Sequence, residues 1–112
     1  MLIPTVTGGA GTLGLSATRA LLEHGCTGLC IWDLETTLRS SQPSITKLAQ
    51  EFPTKRVFSI AVDVTEAEAI AEATATTVSH LGGINHLFTF AGIVSCVHAH
   101  LIYLHCGQKA IV

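Results

Sequence analysis

Three glycines near the N-terminus have the spacing of a phosphate-binding loop. Gly9, Gly11 and Gly14 form the pattern G-x-G-x-x-G, which follows a short apolar run and opens a stretch with helical periodicity. A diphosphate can reach the first backbone N–H groups of a helix only where no side chain stands in between. The pattern therefore predicts a dinucleotide diphosphate site, and a purely structural glycine turn is the alternative.

Two carboxylates follow predicted strands and could contact the remainder of such a ligand. Asp33 lies close to the ~20 residues downstream at which a ribose-binding carboxylate is expected. Its charge would repel a 2′-phosphate, which favours NAD over NADP. Asp63 ends the third predicted strand, where it could meet the adenine amino group. The alternatives are a solvated loop acid for Asp33 and an ordinary helix-preceding residue for Asp63.

Strands and helices must position these residues, and the chain alternates between the two patterns. Short apolar runs predict strands over residues 2–7, 28–32, 57–62 and 86–90. Apolar residues at helical spacing predict helices over residues 12–24, 45–52 and 65–81. The polar segment 36–44 contains Pro43 and is predicted as a loop. Thr65 and Glu68 match a capping box, and Gly82 is typical of a helix stop.

The order βαβαβαβ predicts an α/β fold, a Rossmann-type doubly wound parallel sheet with helices on both faces. We expect about four strands, and therefore a partial sheet. The fourth strand reads as buried, although its outer edge would lack a neighbour. Pro4 is acceptable only at the beginning of its strand, because proline cannot donate to a strand ladder.

Composition limits the domain count and the classes of partner. The 112 residues are 48% hydrophobic and 12% charged, which excludes a disordered chain and predicts one compact domain. A net charge of −2 and no basic run argue against nucleic acid. Four unevenly spaced cysteines and no signal-peptide pattern predict a cytoplasmic protein with reduced thiols. The apolar stretch 87–104 contains two histidines, so no membrane span is predicted.

The last residues fit neither periodicity. We predict a dinucleotide-binding Rossmann half-domain over residues 1–95 and an unassigned tail over 96–112. In an extended tail, Cys96, His98 and His100 would share one face and could ligate zinc. Their spacing is more typical of an accident of composition, so no metal site is predicted.

Taken together, these motifs resemble the short-chain dehydrogenase/reductase family over residues 2 to about 95. The likeness lies in the loop Thr7 to Gly14, the acid after the second strand, Asp63-Val64 and Ala91-Gly92. It implies binding of NAD, or less readily NADP, and hydride transfer between the nicotinamide and an alcohol or carbonyl, with polyols as a suggested substrate class. The cofactor-binding residues it implies are Thr7, Gly8, Gly9, Gly11, Thr12, Leu13, Gly14, Asp33, Asp63, Val64, Ala91 and Gly92.

The sequence also departs from the family pattern. Thr12 replaces the middle glycine of T-G-x-x-x-G-x-G, although the spacing T-G-x-x-G-x-x-G is met, and Thr89-Phe90 replaces an Asn-Asn pair. The family's catalytic Ser and Tyr-x-x-x-Lys are not found, since Tyr103 is followed four positions on by Gly107. We therefore expect cofactor binding without turnover and assign no catalytic residue. The alternative is a non-enzymatic interaction or regulatory fragment that docks on a full-length relative or forms a homo-oligomer.

Overall fold

Strands and helices alternate along residues 3–91, the part of the chain that the computed structural model describes. The elements are β1 (Pro4–Thr7), α1 (Thr12–Glu23), β2 (Gly28–Asp33), α2 (Glu35–Glu51), β3 (Arg56–Ala61), α3 (Ala67–Leu81) and β4 (His86–Thr89). The predictions made for Gly92, for the tail 96–112 and for its cysteine and histidine residues lie outside the described residues.

All strand pairs of the sheet are parallel, and the strand order is β3-β2-β1-β4. Val6 at the centre of β1 pairs with Ile31 of β2 on one side and with Phe88 of β4 on the other. After β3, the chain therefore crosses back over β1 and adds β4 to the opposite side. This arrangement confirms the predicted α/β fold and creates a switch point at the carboxyl ends of β1 and β4, where ligands of such sheets bind.

Helices cover both faces of the sheet because alternate residues of β2 point in opposite directions. Leu29 and Ile31 are buried on one face, in a cluster that α1 and α2 complete with Leu22, Leu38, Ile45 and Leu48. Cys30 and Trp32 are buried on the other face, against Ala73 of α3. The Trp32 indole Nε1 donates to Thr77 Oγ1 of α3 at 3.1 Å, so the one polar atom of this ring is satisfied inside the core.

Burial raises the pKa of the Cys30 thiol from an ordinary 9.0 to about 11. Because the folded protein holds this proton more tightly than the unfolded chain, the thiol's contribution to stability is complete below pH 9 and is lost as the pH rises to 11. We expect roughly 2 kcal/mol of unfolding free energy to disappear over this interval. Urea denaturation at each pH measures it, and Cys30→Ala should show a shallower decline. If the free energy of unfolding fell equally with pH in wild type and in Cys30→Ala, the prediction would be wrong.

The predicted loop at 36–44 is wrong, because α2 continues through it from Glu35 to Glu51 with Pro43 inside the helix. Proline removes one backbone hydrogen bond and costs about 3 kcal/mol in a helix interior. The helix offsets this cost by burying Leu38, Ile45 and Leu48 against the sheet, each worth about 1.5–3 kcal/mol. Burial of one apolar face therefore outweighs the local preference of the proline.

Among the predictions for single residues and for β4, some are confirmed and others are wrong. Pro4 is the first residue of β1, and Gly82 ends α3 in the left-handed region at φ 85°, as expected. The capping box is wrong, since α3 begins after Glu66 without a side-chain cap and Thr65 bonds Asp63 instead. The burial predicted for β4 is also wrong, because Leu87 is 59% exposed. Within residues 3–91, no helix combines the length and the apolar character needed to cross a bilayer.

Candidate functional site

Backbone hydrogen bonds bring the ends of β1, β2 and β4 together at the switch point. Gly8 N–H donates to the carbonyl oxygen of Trp32 at 2.8 Å, and Phe90 N–H donates to the carbonyl oxygen of Thr7 at 2.8 Å. Gly8 has φ +68°, and a Cβ there would lie 2.5 Å from the carbonyl carbon of Phe90. Only glycine allows the loop after β1 to turn this close to the segment that follows β4.

The loop leads directly into an uncapped helix N-terminus. Gly11 is the N-cap of α1, and no side chain among the described residues caps this helix. The N–H groups of Thr12, Leu13 and Gly14 have no acceptor within the helix, because its first turn has no preceding carbonyls. Thr12 and Leu13 are exposed, Leu13 by 72%. Within residues 3–91 these donors have no backbone acceptor, and together with the positive end of the helix dipole they favour an anion.

Glycine does not occupy every position of the loop for the same physical reason. A Cβ on Gly9 would lie 2.9 Å from Ile31 Cγ2, and one on Gly14 would overlap the carbonyl oxygen of Gly8 and lie 2.5 Å from Gly9 Cα. Close packing therefore explains both glycines. Gly11 differs, since its φ is −78° and its Cβ would only touch Gly8 O at 3.4 Å. Packing alone therefore does not require glycine at position 11.

The carboxylate of Asp33 is held beside the loop at the end of β2. Its Oδ2 accepts the N–H of Ala10 at 3.1 Å, and its Oδ1 accepts the N–H of Leu34 at 2.8 Å. Asp33 is partly exposed, so each oxygen retains accepting capacity toward solvent. The sequence alternative of a freely solvated loop acid does not describe this geometry, because the carboxylate links β2 to the glycine loop.

The end of β3 contributes a second carboxylate and an apolar surface. Asp63 Oδ1 accepts the N–H of Thr65 at 2.9 Å and its hydroxyl at 2.6 Å. This geometry fits the alternative in which Asp63 shapes the turn before α3, and its adenine contact stays a prediction. Leu34 follows Asp33 and is 48% exposed, and Val64 follows Asp63 and is 38% exposed. An apolar side chain is therefore open to solvent after β2 and another after β3.

Other predicted residues occupy the same edge with different exposure. The Thr7 side chain is nearly buried at 6%, so its contribution to the loop comes from the carbonyl oxygen that receives Phe90 N–H. Ala91 is exposed next to Gly8. Arg39 of α2 is paired with Glu35 at 2.7 Å one helical turn away. Within residues 3–91 no group of three or more metal-ligating side chains occurs.

Sequence reasoning missed two residues that hold the loop. Ala10 is 2% exposed and donates its N–H to Asp33, while its carbonyl oxygen accepts the hydroxyl of Ser41 at 2.9 Å. No local pattern indicates Ser41, because it lies in the segment that Pro43 marked as a loop. Recognising α2 as one continuous helix beside the glycine loop is the step that would have found it.

A family model described as short chain dehydrogenase matches residues 3–104 of the sequence. Among curated proteins, none matches the chain. Among solved structures, a short chain dehydrogenase from Mycobacterium smegmatis is similar, with 29% identity and a TM-score of 0.72 over 84% of this chain and 38% of its own.

Two further solved structures carry a bound cofactor. An NADPH-bound short chain oxidoreductase from Pseudomonas aeruginosa PAO1, with an atypical catalytic center, is 28% identical with a TM-score of 0.67 over 77% of this chain and 32% of its own. An alcohol dehydrogenase from Thermococcus sibiricus, complexed with 5-hydroxy-NADP, is 24% identical. Its TM-score is 0.65 over 78% of this chain and 35% of its own. The present chain therefore spans about a third of the length of these solved proteins.

Proposed function

Because the chain belongs to the short-chain dehydrogenase family, we propose that it binds NAD(H) at the switch point of its sheet. The diphosphate is received by the backbone N–H groups of Thr12, Leu13 and Gly14. The adenosine ribose is received by the carboxylate of Asp33, and the adenine lies between Leu34 and Val64. The other cofactor-binding residues in this proposal are those that the sequence predicts: Thr7, Gly8, Gly9, Gly11, Asp63, Ala91 and Gly92.

The observation that carries the proposal is the unobstructed N-cap at Gly11. The other loop glycines are explained by close packing, but position 11 has room for a side chain and an ordinary φ of −78°. A side chain there would stand over donors that an anionic ligand needs. The residues present therefore fit a diphosphate, since they offer unpaired N–H groups, a free approach and a carboxylate at the adjacent strand end.

Asp33 supports NAD rather than NADP. A 2′-phosphate placed near this carboxylate would meet a like charge, and Arg39, the nearest basic residue along α2, is paired with Glu35. The similar proteins from Pseudomonas aeruginosa and Thermococcus sibiricus were solved with NADPH and 5-hydroxy-NADP. The preference for NAD in this chain consequently rests on Asp33 itself.

When bound, the nicotinamide supplies a hydride acceptor or donor for an alcohol or carbonyl, the reaction class of the family. The chain's own residues bind and orient the adenosine diphosphate portion. Asp33 and the α1 donors fix its polar groups, while Leu34 and Val64 cover the base. The single tyrosine, Tyr103, is not followed by a lysine four positions on. We propose binding without turnover for these 112 residues.

Isothermal titration calorimetry with NADH tests this proposal. Wild type should release heat with a stoichiometry near one, and Asp33→Ala should weaken the affinity about 10- to 100-fold, since hydrogen bonds to charged groups contribute about 1.5–3 kcal/mol. NADPH should bind wild type more weakly than NADH, and Asp33→Ala should narrow that difference. Glu72→Ala is the matched control, because it removes an exposed acid of α3 and leaves the pair between Arg39 and Glu35 intact. Equal affinity for NADH and NADPH in wild type would overturn the preference.

The outer edge of β4 favours a second candidate function. Among the described residues, β4 pairs only with β1, Leu87 is 59% exposed, and the strand HLFT contains none of the Lys, Arg, Asp or Glu residues that commonly block edge pairing. A fragment of this kind would dock on a second copy or a full-length relative by strand addition. Absence of heat with millimolar NADH, together with concentration-dependent association in sedimentation, would support this function over cofactor binding.

A further inference from the structure

We propose that Ser41, on α2, is a positioning residue for the cofactor loop. The inference rests on the proposed function. It states that the Ser41 hydroxyl orients the peptide group after Ala10, at the start of the proposed diphosphate site. Ser41 Oγ donates to the carbonyl oxygen of Ala10 at 2.9 Å, across 31 residues of sequence, in a part-buried setting.

The two peptide groups that flank Ala10 are held from different elements. The peptide between Gly9 and Ala10 presents its N–H to Asp33 Oδ2 at 3.1 Å. The peptide between Ala10 and Gly11 presents its carbonyl to Ser41, and its N–H donates to the carbonyl oxygen of Gly8 at 3.2 Å. Both backbone dihedral angles of Ala10 are thereby fixed, one through β2 and one through α2.

The orientation of Ala10 determines how the loop enters α1. Gly11 is the N-cap, so rotation of the preceding peptide would turn the first N–H groups of the helix away from their common direction. The same rotation would weaken the contact that holds the carboxylate of Asp33 beside the loop. The hydroxyl of Ser41 thus acts on both halves of the proposed site, through the loop and not by touching the ligand.

Ser40 provides a matched control on the same helix. Its hydroxyl is exposed and donates at 3.1 Å to the carbonyl oxygen of Thr37, within α2 itself. Removing it deletes a serine hydroxyl of the same helix turn without touching the loop. A difference in NADH affinity between Ser41→Ala and Ser40→Ala therefore reports the contact to Ala10. It does not report a general effect of removing a serine from α2.

The experiment measures NADH affinity by titration calorimetry and stability by thermal denaturation for wild type, Ser41→Ala, Ser41→Thr and Ser40→Ala. Loss of one hydrogen bond in the folded loop should raise the dissociation constant of Ser41→Ala about fivefold. Ser41→Thr, which retains the hydroxyl, should restore affinity, and Ser40→Ala should match wild type. A structural effect on α2 alone would lower the melting temperature of both alanine variants and leave the affinity of their folded forms unchanged.

The outcomes separate the two proposals. If wild type binds NADH and Ser41→Ala binds it within twofold of wild type, the positioning role is overturned while the proposed function stands. If wild type shows no binding, the proposed function fails and this inference fails with it. Should Ser41→Ala not fold, the isosteric pair Ser41→Thr and Ser41→Val replaces it, and equal NADH affinity for that pair overturns the role of the hydroxyl.

Discussion

Gly11→Trp is expected to abolish NADH binding while leaving the protein folded. Position 11 has φ −78° and ψ 176°, which any L-residue adopts, and its Cβ would meet Gly8 O at 3.4 Å, an ordinary contact. The indole would extend over the first turn of α1 and stand between its N–H groups and the diphosphate. Calorimetry should then give no heat at NADH concentrations that saturate wild type, and far-UV circular dichroism should be unchanged.

The matched control is the same substitution at Gly83. A Cβ at this position has no heavy atom within 4 Å, and the residue lies in the segment between α3 and β4. Gly83 precedes the amino end of β4, whereas the glycine loop follows the carboxyl end of β1, and because these strands are parallel the two positions lie at opposite ends of the sheet. Gly83→Trp therefore adds an indole without covering the loop, and NADH affinity should equal that of wild type. Retained binding in Gly11→Trp would show that the diphosphate does not occupy the start of α1.

Gly14→Ala should destabilise the fold more than Gly11→Ala. The new Cβ would overlap the carbonyl oxygen of Gly8 and approach Gly9 Cα at 2.5 Å, and both are backbone atoms that cannot rotate away. The first turn of α1 must therefore move off the loop. Overpacking of this kind costs about 1–3 kcal/mol, which exceeds the gain of about 1 kcal/mol from alanine in a helix.

Chemical denaturation of Gly14→Ala and Gly11→Ala measures this difference. Gly11→Ala places its methyl group in ordinary contact and changes only the N-cap preference, so we expect a loss under about 1 kcal/mol. Gly14→Ala should lower the unfolding midpoint clearly more and should weaken NADH binding, because the displaced helix carries the donors. Equal midpoints for the two variants would mean that α1 can shift at no cost.

The alternating apolar runs were sufficient to predict the order of elements and the parallel sheet. Runs such as residues 28–32 are short and uniformly apolar, which is typical of strands buried on both faces. The middle of α2 could not be predicted, because a proline at position 43 argues locally against a helix and only the burial of Leu38, Ile45 and Leu48 against the sheet reverses that preference. Similarly, the exposure of β4 depends on which strand lies beside it, and composition does not determine that.

For the candidate site, glycine spacing predicted the turn after β1, and the distance along the chain predicted an acid at the end of β2, which contacts this turn. The roles of both in cofactor binding stay predictions. The sequence did not distinguish the glycines from one another, since the packing reasons at Gly9 and Gly14 depend on atoms of Ile31 and Gly8. The partners of Ala10 were also hidden, because both contacts span more than twenty residues, 23 to Asp33 and 31 to Ser41. Local patterns predict where the backbone turns, and tertiary contacts determine what holds the turn in place.

Trp32 is the one tryptophan of the chain, and its carbonyl oxygen receives the N–H of Gly8. The indole is 4% exposed, so its environment in the folded protein is fixed by the core beneath the loop. Its ultraviolet emission therefore gives a label-free optical signal from a single position next to the glycines. Quenching of that emission by a nearby dihydronicotinamide, through resonance energy transfer, would let occupancy be followed in a cuvette with no added dye.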